Sequence, residues 1–190
     1  MSRNKLAAGA VCSVAIVIST LLSMDLGLRT NKEALEIIGD AESCRHDPYM
    51  CPAGVLTDGV GNTHGVKVGV RKDYPQIARD WAKNIKEAER CINENFRGSE
   101  MNDNQFGAMV SPAFNMGCRG LMTYVKKDGK RAPTTIWREA AAGNFDVMCR
   151  RLPDFVKGGG KILPGLVTRR NKEMALCLKP VEAPDGAKQK

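Results

Sequence analysis

The chain has 190 residues, enough for one domain with a full core and too few for two generous ones. Its 43% hydrophobic and 26% charged residues are an ordinary globular composition, which excludes wholesale disorder. A net charge of +8 suits an anionic partner, but aromatics are only 5% and the Lys and Arg are scattered, which counts against nucleic acid and leaves an acidic membrane surface or an anionic wall polymer.

The chain begins with Arg3 and Lys5 and then an uncharged stretch, LAAGAVCSVAIVISTLLSM, at 6–24. Its nineteen residues nearly match the ~20 that a helix needs to cross the hydrocarbon layer. Ten of them are Ala, Gly, Ser, Thr or Cys, which contribute little transfer free energy, so the span is weak. A cleaved signal should end in small residues at the last and third-last positions, and Leu21, Leu22, Ser23, Met24, Asp25 does not provide them. The expectation is an uncleaved anchor over 1–27, with the N-terminus inside and everything after Asp25 exported. A buried core helix is the alternative.

Seven cysteines follow from that reading: Cys12, Cys44, Cys51, Cys91, Cys118, Cys149 and Cys177. Export favours disulfides among the last six and leaves Cys12, inside the apolar stretch, as the odd one. Zinc held by Cys44, His46, Cys51 and His64 is a poorer reading, because no paired C-x2-C or H-x3-H spacing supports it. No cofactor or metal is expected.

Thr30 and Glu33 form a T-x-x-E pattern that should open a helix, with Leu35, Ile38 and Glu42 along one face. A carboxyl at the end of an apolar stripe is partly desolvated, which raises its pKa. Pro52 to Val66, with Gly54, Gly59, Gly61 and Gly65, reads as a small β lobe whose first strand holds Thr57. Asp73 and Gln76 bracket Pro75 in a capping box, and Ile77, Trp81, Ile85, Ala88 and Ile92 continue a helical stripe to about Phe96. Shorter helices are expected at 104–116, 134–142, 145–152 and 166–178, with a kink or boundary at Pro112. KGGGKILP at 157–164 reads as a loop. The architecture is α+β and mainly helical, with a cleft between the β lobe and the helical lobe.

The stretch ESCRHDPYMCPAGVLT at 42–57 places an acid on one wall of that cleft and Cys51 and Thr57 on the other. Glycoside cleavage needs a proton donor to the leaving oxygen and, across the bond, a group that activates water, attacks carbon or stabilises the cation. E-x8-C-x5-T here, followed by DGVGN at 58–62, QFGAMVSPAFNMG at 105–117 and PGLVTRR at 164–170, resembles the T4-type phage lysozymes, whose signature is E-x8-D-x5-T. The resemblance covers about 30–178. It implies a lysozyme-like fold over 28–178 and activity on peptidoglycan between N-acetylmuramic acid and N-acetylglucosamine; the polar end of the chain, 179–190, reads by its composition as a flexible tail. By position the resemblance makes Glu42 the general acid, sets Cys51 where the family has a catalytic Asp, and matches Thr57 to the family's Thr. Asn62 replaces a His usual after the glycine turn.

A thiol has a free pKa of about 8.5 against about 3.9 for Asp, so Cys51 supplies charge only where its site depresses that value. Asp47 and Asp58 are the alternatives for its role. Arg169 and Arg170 are candidates to reach Glu42 or the substrate. The weak span with its own thiol also resembles the signal-anchor-release endolysins, specifically their disulfide-caged branch. That likeness implies a Cys44–Cys51 bridge in an inactive, membrane-held form and a Cys12–Cys44 bridge in an active, released one; a static staple is the alternative. Cys91, Cys118, Cys149 and Cys177 then make two structural bridges with three possible connectivities. The implied partners are peptidoglycan and, through 6–24, the host inner membrane, with the catalytic part periplasmic and monomeric. A cysteine hydrolase pairing Cys51 with His46 or His64, or a disulfide-stapled wall-binding module, are the competing functions.

Overall fold

The computed structural model describes residues 10–42, 44–51 and 54–181, so residues 6–9 of the apolar stretch and most of the tail lie outside the described residues. In chain order the elements are α1 (Val14–Ser23), α2 (Lys32–Asp40), the hairpin β1 (Cys44–Met50) and β2 (Leu56–Val60), and α3 (Tyr74–Asn95). There follow α4 (Asp103–Met116), α5 (Cys118–Met122), the hairpin β3 (Thr123–Val125) and β4 (Arg131–Pro133), α6 (Thr135–Ala141), α7 (Phe145–Arg150), the short pair β5 (Lys157–Gly158) and β6 (Lys161–Ile162), and α8 (Pro164–Cys177).

The long helix α3 organises the rest. Asp73 and Gln76 form the expected capping box, and the stripe of Ile77, Trp81, Ile85, Ala88 and Ile92 is buried along its length. The β lobe, α1 and α4 pack around it. α4 continues past Pro112, so the proline is not a boundary; it costs the helix one ladder bond without ending it. Cys91–Cys118 ties α3 to the start of α5, and Cys149–Cys177 ties α7 to α8.

Local expectations fail where a distant partner competes. α2 is capped by Asn31, whose side chain accepts from the Ala34 amide, because Thr30 is drawn away to Glu89. The helix ends at Asp40, so Glu42 lies just past it instead of on its stripe. The hairpin begins at Cys44 and not at residue 52, and Thr57 sits on its second strand. Asp47 and Pro48 lie within β1, at the register shift between Arg45 and Tyr49 where the ladder already lacks a regular bond for proline to break. KGGGKILP folds as a tight hairpin, because Gly159 and Gly160 both take the positive φ that a two-residue turn requires.

Among the described residues no helix is long and apolar enough to cross a membrane. α1 instead lies on α2 and α3, capped by Ser13, with Val17, Ile18 and Leu21 buried in the same core as the rest. Residues 10–12 run beside β1, bridging Val11 to Arg45, and Cys12 is joined to Cys44. The seat of α1 depends on Gly39, where an added Cβ would lie 2.4 Å from Val14 Cγ1 and 3.3 Å from the Trp81 ring. Gly39→Ala gains about 0.5–1 kcal/mol of helix propensity but overpacks against a stiff valine at about 1–3 kcal/mol. The clash wins, and thermal melting should show a net loss of stability.

Candidate active site

Glu42 is placed by the end of α2, its amide donating to the Gly39 carbonyl at 3.1 Å. Its Oε1 lies 3.4 Å from Arg169 Nη1 on α8, and its side chain is 25% exposed. On the opposite side is the turn that closes β2, where Gly61 has φ +64° and a Cβ would stand 3.0 Å from Glu42 Oε2. Glycine is needed there twice over: for the left-handed backbone and for the space the carboxyl occupies.

Behind Arg169 is a buried polar network joining α4 and α8. Arg169 donates through Nε to Ser111 Oγ and Glu173 Oε1, both at 3.2 Å, and through Nη2 to the Ser111 carbonyl at 3.3 Å. Arg170 Nη1 meets both Glu173 oxygens at 2.6 Å, and its other nitrogens donate to Asn115 Oδ1 and the Phe155 carbonyl. Ser111, Arg169, Arg170 and Glu173 are all buried. Two guanidinium groups therefore share one buried carboxylate, and the surplus positive charge faces Glu42. Burial raises the Glu42 pKa above its ordinary value, and this outweighs the opposing pull of the Arg169 charge and hydrogen bond. The result is a carboxyl that keeps its proton to higher pH than a free glutamate does, as a general acid requires.

Cys51 and Thr57 meet at one backbone atom. The Val55 carbonyl accepts from the Cys51 amide at 2.9 Å and from the Thr57 hydroxyl at 3.0 Å. Cys51 is half-buried and lies outside the three disulfides, while Thr57 is buried on β2, the strand that leads to Gly61 and so to Glu42. The two alternative acids have other partners. Asp47 is 2.7 Å from Arg71 and accepts the Ala10 amide. Buried Asp58 holds Lys72 at 2.7 Å and the Asn62 amide group at 2.8 Å. His46 Nδ1 is 2.7 Å from the Lys72 carbonyl with its ring edge-on to Tyr74, and His64 is exposed beyond the turn.

A recess of about 620 Å³ opens on Glu42, with Ile37, Asp40, Asn115, Leu166 and Arg169 among its walls. A second, of about 370 Å³, begins at Gly61 and His64 and runs past Phe114 to the Cys91–Cys118 bridge. They adjoin where Gly61 touches Glu42. Neither Cys51 nor Thr57 is on the walls of these two recesses. Sequence reasoning reached Arg169 and Arg170 but missed Glu173 and Ser111; R-R-x-x-E, whose spacing puts an acid one turn beyond two arginines on a helix, was the available signal for Glu173.

A carboxyl braced by arginine where a small β hairpin lobe meets a helical lobe is the arrangement of a lysozyme-type glycoside hydrolase. The chain belongs to the phage lysozyme family, whose model matches residues 39–173. It is 56% identical over 171 residues to the SAR-endolysin of Escherichia phage P1, covering 90% of this chain and 92% of that protein. It is 46% identical over 182 residues to the SAR-endolysin of Haemophilus phage HP1, covering 92% and 98%. The crystal structure of the active form of P1 phage endolysin Lyz matches with TM-score 0.85 at 56% identity, over 90% of this chain and 96% of that one. The secreted inactive form of P1 Lyz matches with TM-score 0.59 at 58% identity, over 78% and 95%.

Proposed function

We propose that this chain is an endolysin that hydrolyses the bond between N-acetylmuramic acid and N-acetylglucosamine in bacterial peptidoglycan, and that it is held inactive at the host inner membrane through residues 6–24 until that segment is released into the periplasm. Glu42 protonates the leaving oxygen. Cys51 and Thr57 are assigned by their positions in the E-x8-C-x5-T signature and not by lining the recesses: Cys51 acts across the bond as base, nucleophile or stabiliser of the cation, and Thr57 orients water. The observation that carries the hydrolytic half is Glu42 itself: buried enough to hold its proton, open to the larger recess, and fixed by Arg169.

The regulatory half is supported by the state of the cysteines. Cys12 is joined to Cys44, and Cys51 is in none of the three disulfides of the described residues, in a structure more similar to the active than to the inactive form of P1 Lyz. In the membrane-held form Cys44 and Cys51 are bridged and the catalytic thiol is capped. On release, the Cys12 thiolate attacks Cys44 Sγ; the Cys44–Cys51 bond breaks, Cys51 leaves as thiolate and Cys12–Cys44 forms, with no net oxidation. Pairing of residues 10–12 with β1, including the Cys12 amide on the Cys44 carbonyl at 3.0 Å, holds the new bridge in place.

The test is the chemical nature of the new ends released from purified sacculi. New sugar reducing ends are the expected product. New amino groups without reducing ends would replace this reading with that of a cysteine hydrolase acting on wall peptides.

A further inference from the structure

Arg79, Lys83, Lys86 and Arg90 are exposed on α3 at spacings of four, three and four, so they form one stripe along three turns. None of the four makes an ion pair among the described residues. The acids of the same helix pair with none of them: Asp80 is taken by Lys72 and Glu89 is buried, while Glu87 and Glu94, one turn from Lys83 and Arg90, make no ion pair among the described residues. Nothing in the catalytic cleft uses this row of cations.

Its position relative to the N-terminal segment says what it faces. Glu89, between Lys86 and Arg90, accepts the Arg29 amide at 2.8 Å and the Thr30 amide and hydroxyl at 2.7 Å. The Arg29 guanidinium is fixed further by the Gly98 carbonyl at 2.7 Å, by Asp103 at 3.0 Å and by the Phe106 ring at 4.2 Å. The chain is thus riveted to α3 at residues 29–30, directly beside Lys86 and Arg90. Between Met24, which caps α1, and this rivet lies a linker of five steps, which reaches roughly 17 Å at full stretch. The linker passes Lys86, whose Nζ lies about 3.9 Å from the Cβ position of Gly27.

We infer that the stripe Arg79, Lys83, Lys86 and Arg90 is a docking surface for anionic phospholipid headgroups. The inference rests on the proposed membrane-held state: with 6–24 in the bilayer, the linker caps the separation of the stripe from the headgroups at about two of the ~10 Å lengths over which exposed charges act in salt, and lets it approach closer. It settles α3 along the membrane before release. Because the stripe stays exposed with α1 folded against α3, it also gives the released protein a grip on the membrane that is electrostatic and salt-sensitive.

The test uses the full chain in the Cys12–Cys44 state, sedimented with vesicles of phosphatidylethanolamine with or without phosphatidylglycerol, at low and high salt. The wild type should prefer the anionic vesicles and lose that preference in salt. The variant R79Q/K83Q/K86Q/R90Q, all at exposed positions, should lose at least ~10-fold of anionic binding, each cation being worth roughly fivefold at a charged surface, while still releasing reducing ends from sacculi. Equal binding of both proteins to anionic vesicles would overturn the stripe and leave the anchor reading intact, since the apolar segment would then be the whole of the attraction. Loss of sacculus binding and cleavage, with vesicle binding unchanged, would assign the stripe to the wall polymer and overturn the inference.

Discussion

Glu42→Gln should lower release of reducing ends by about 10²–10⁴-fold, because in the proposed mechanism Glu42 supplies the proton to the leaving oxygen. Glutamine has nearly the same shape, and its oxygen can still accept from Arg169 Nη1, so the cleft should survive the change. The stability effect has the opposite sign. Burial raises the Glu42 pKa above 4.5 despite Arg169, so the folded state holds this proton more tightly than the unfolded one does. The associated stability is complete below the unfolded value and is lost as pH rises through the folded value. Glu42→Gln never ionises and should melt above the wild type at neutral pH, with the gap closing below about pH 4. Thermal melts across pH read this directly. A variant that is both inactive and unstable at neutral pH would mean that the carboxylate is a structural anion and not a strained acid.

Glu173→Ala should be strongly damaging to the fold. Glu173 is wholly buried and is the anion between Arg169 and Arg170, themselves only 5% and 1% exposed. Deleting one partner of such a set leaves charge buried without compensation, at a cost of about 3–5 kcal/mol, or roughly 6–20 °C in melting temperature for a chain of this size. The same residue also bears on chemistry through the field at Glu42. Glu173→Gln keeps the shape and an acceptor oxygen but leaves both guanidinium charges unopposed, which favours the ionised form of Glu42. Its rate should therefore fall off at lower pH than the wild-type rate does, and the shift of that alkaline limb separates a field effect from mere loosening of the site.

What could be read from the chain depended on how local the cause was. The capping box at Asp73 and Gln76 and the stripe from Ile77 to Ile92 are set by nearest-neighbour chemistry, and α3 appears where they put it. The start of α2 moved from Thr30 to Asn31 because Glu89, some sixty residues away, takes the threonine. Arg169 was visible as a candidate, but its brace was not, since only the packing of α4 on α8 brings Ser111 to Glu173. The apolar stretch carries information for two settings. Its small residues make it a weak span, and a small residue in the body, Gly39, lets Val14 of α1 seat closely against it. A sequence pattern cannot say which setting is occupied; the described structure has α1 folded against the body.

The measurement that bears most directly on the whole account is peptidoglycan cleavage by Cys12→Ser, prepared oxidised and then assayed with and without mild reductant. With Cys12 gone, Cys44 has Cys51 as its remaining partner in the β lobe, so the oxidised protein should release almost no reducing ends and reductant should restore cleavage. Full cleavage by the oxidised variant would contradict the exchange of partners at Cys44 and reduce the Cys12–Cys44 bridge to a staple.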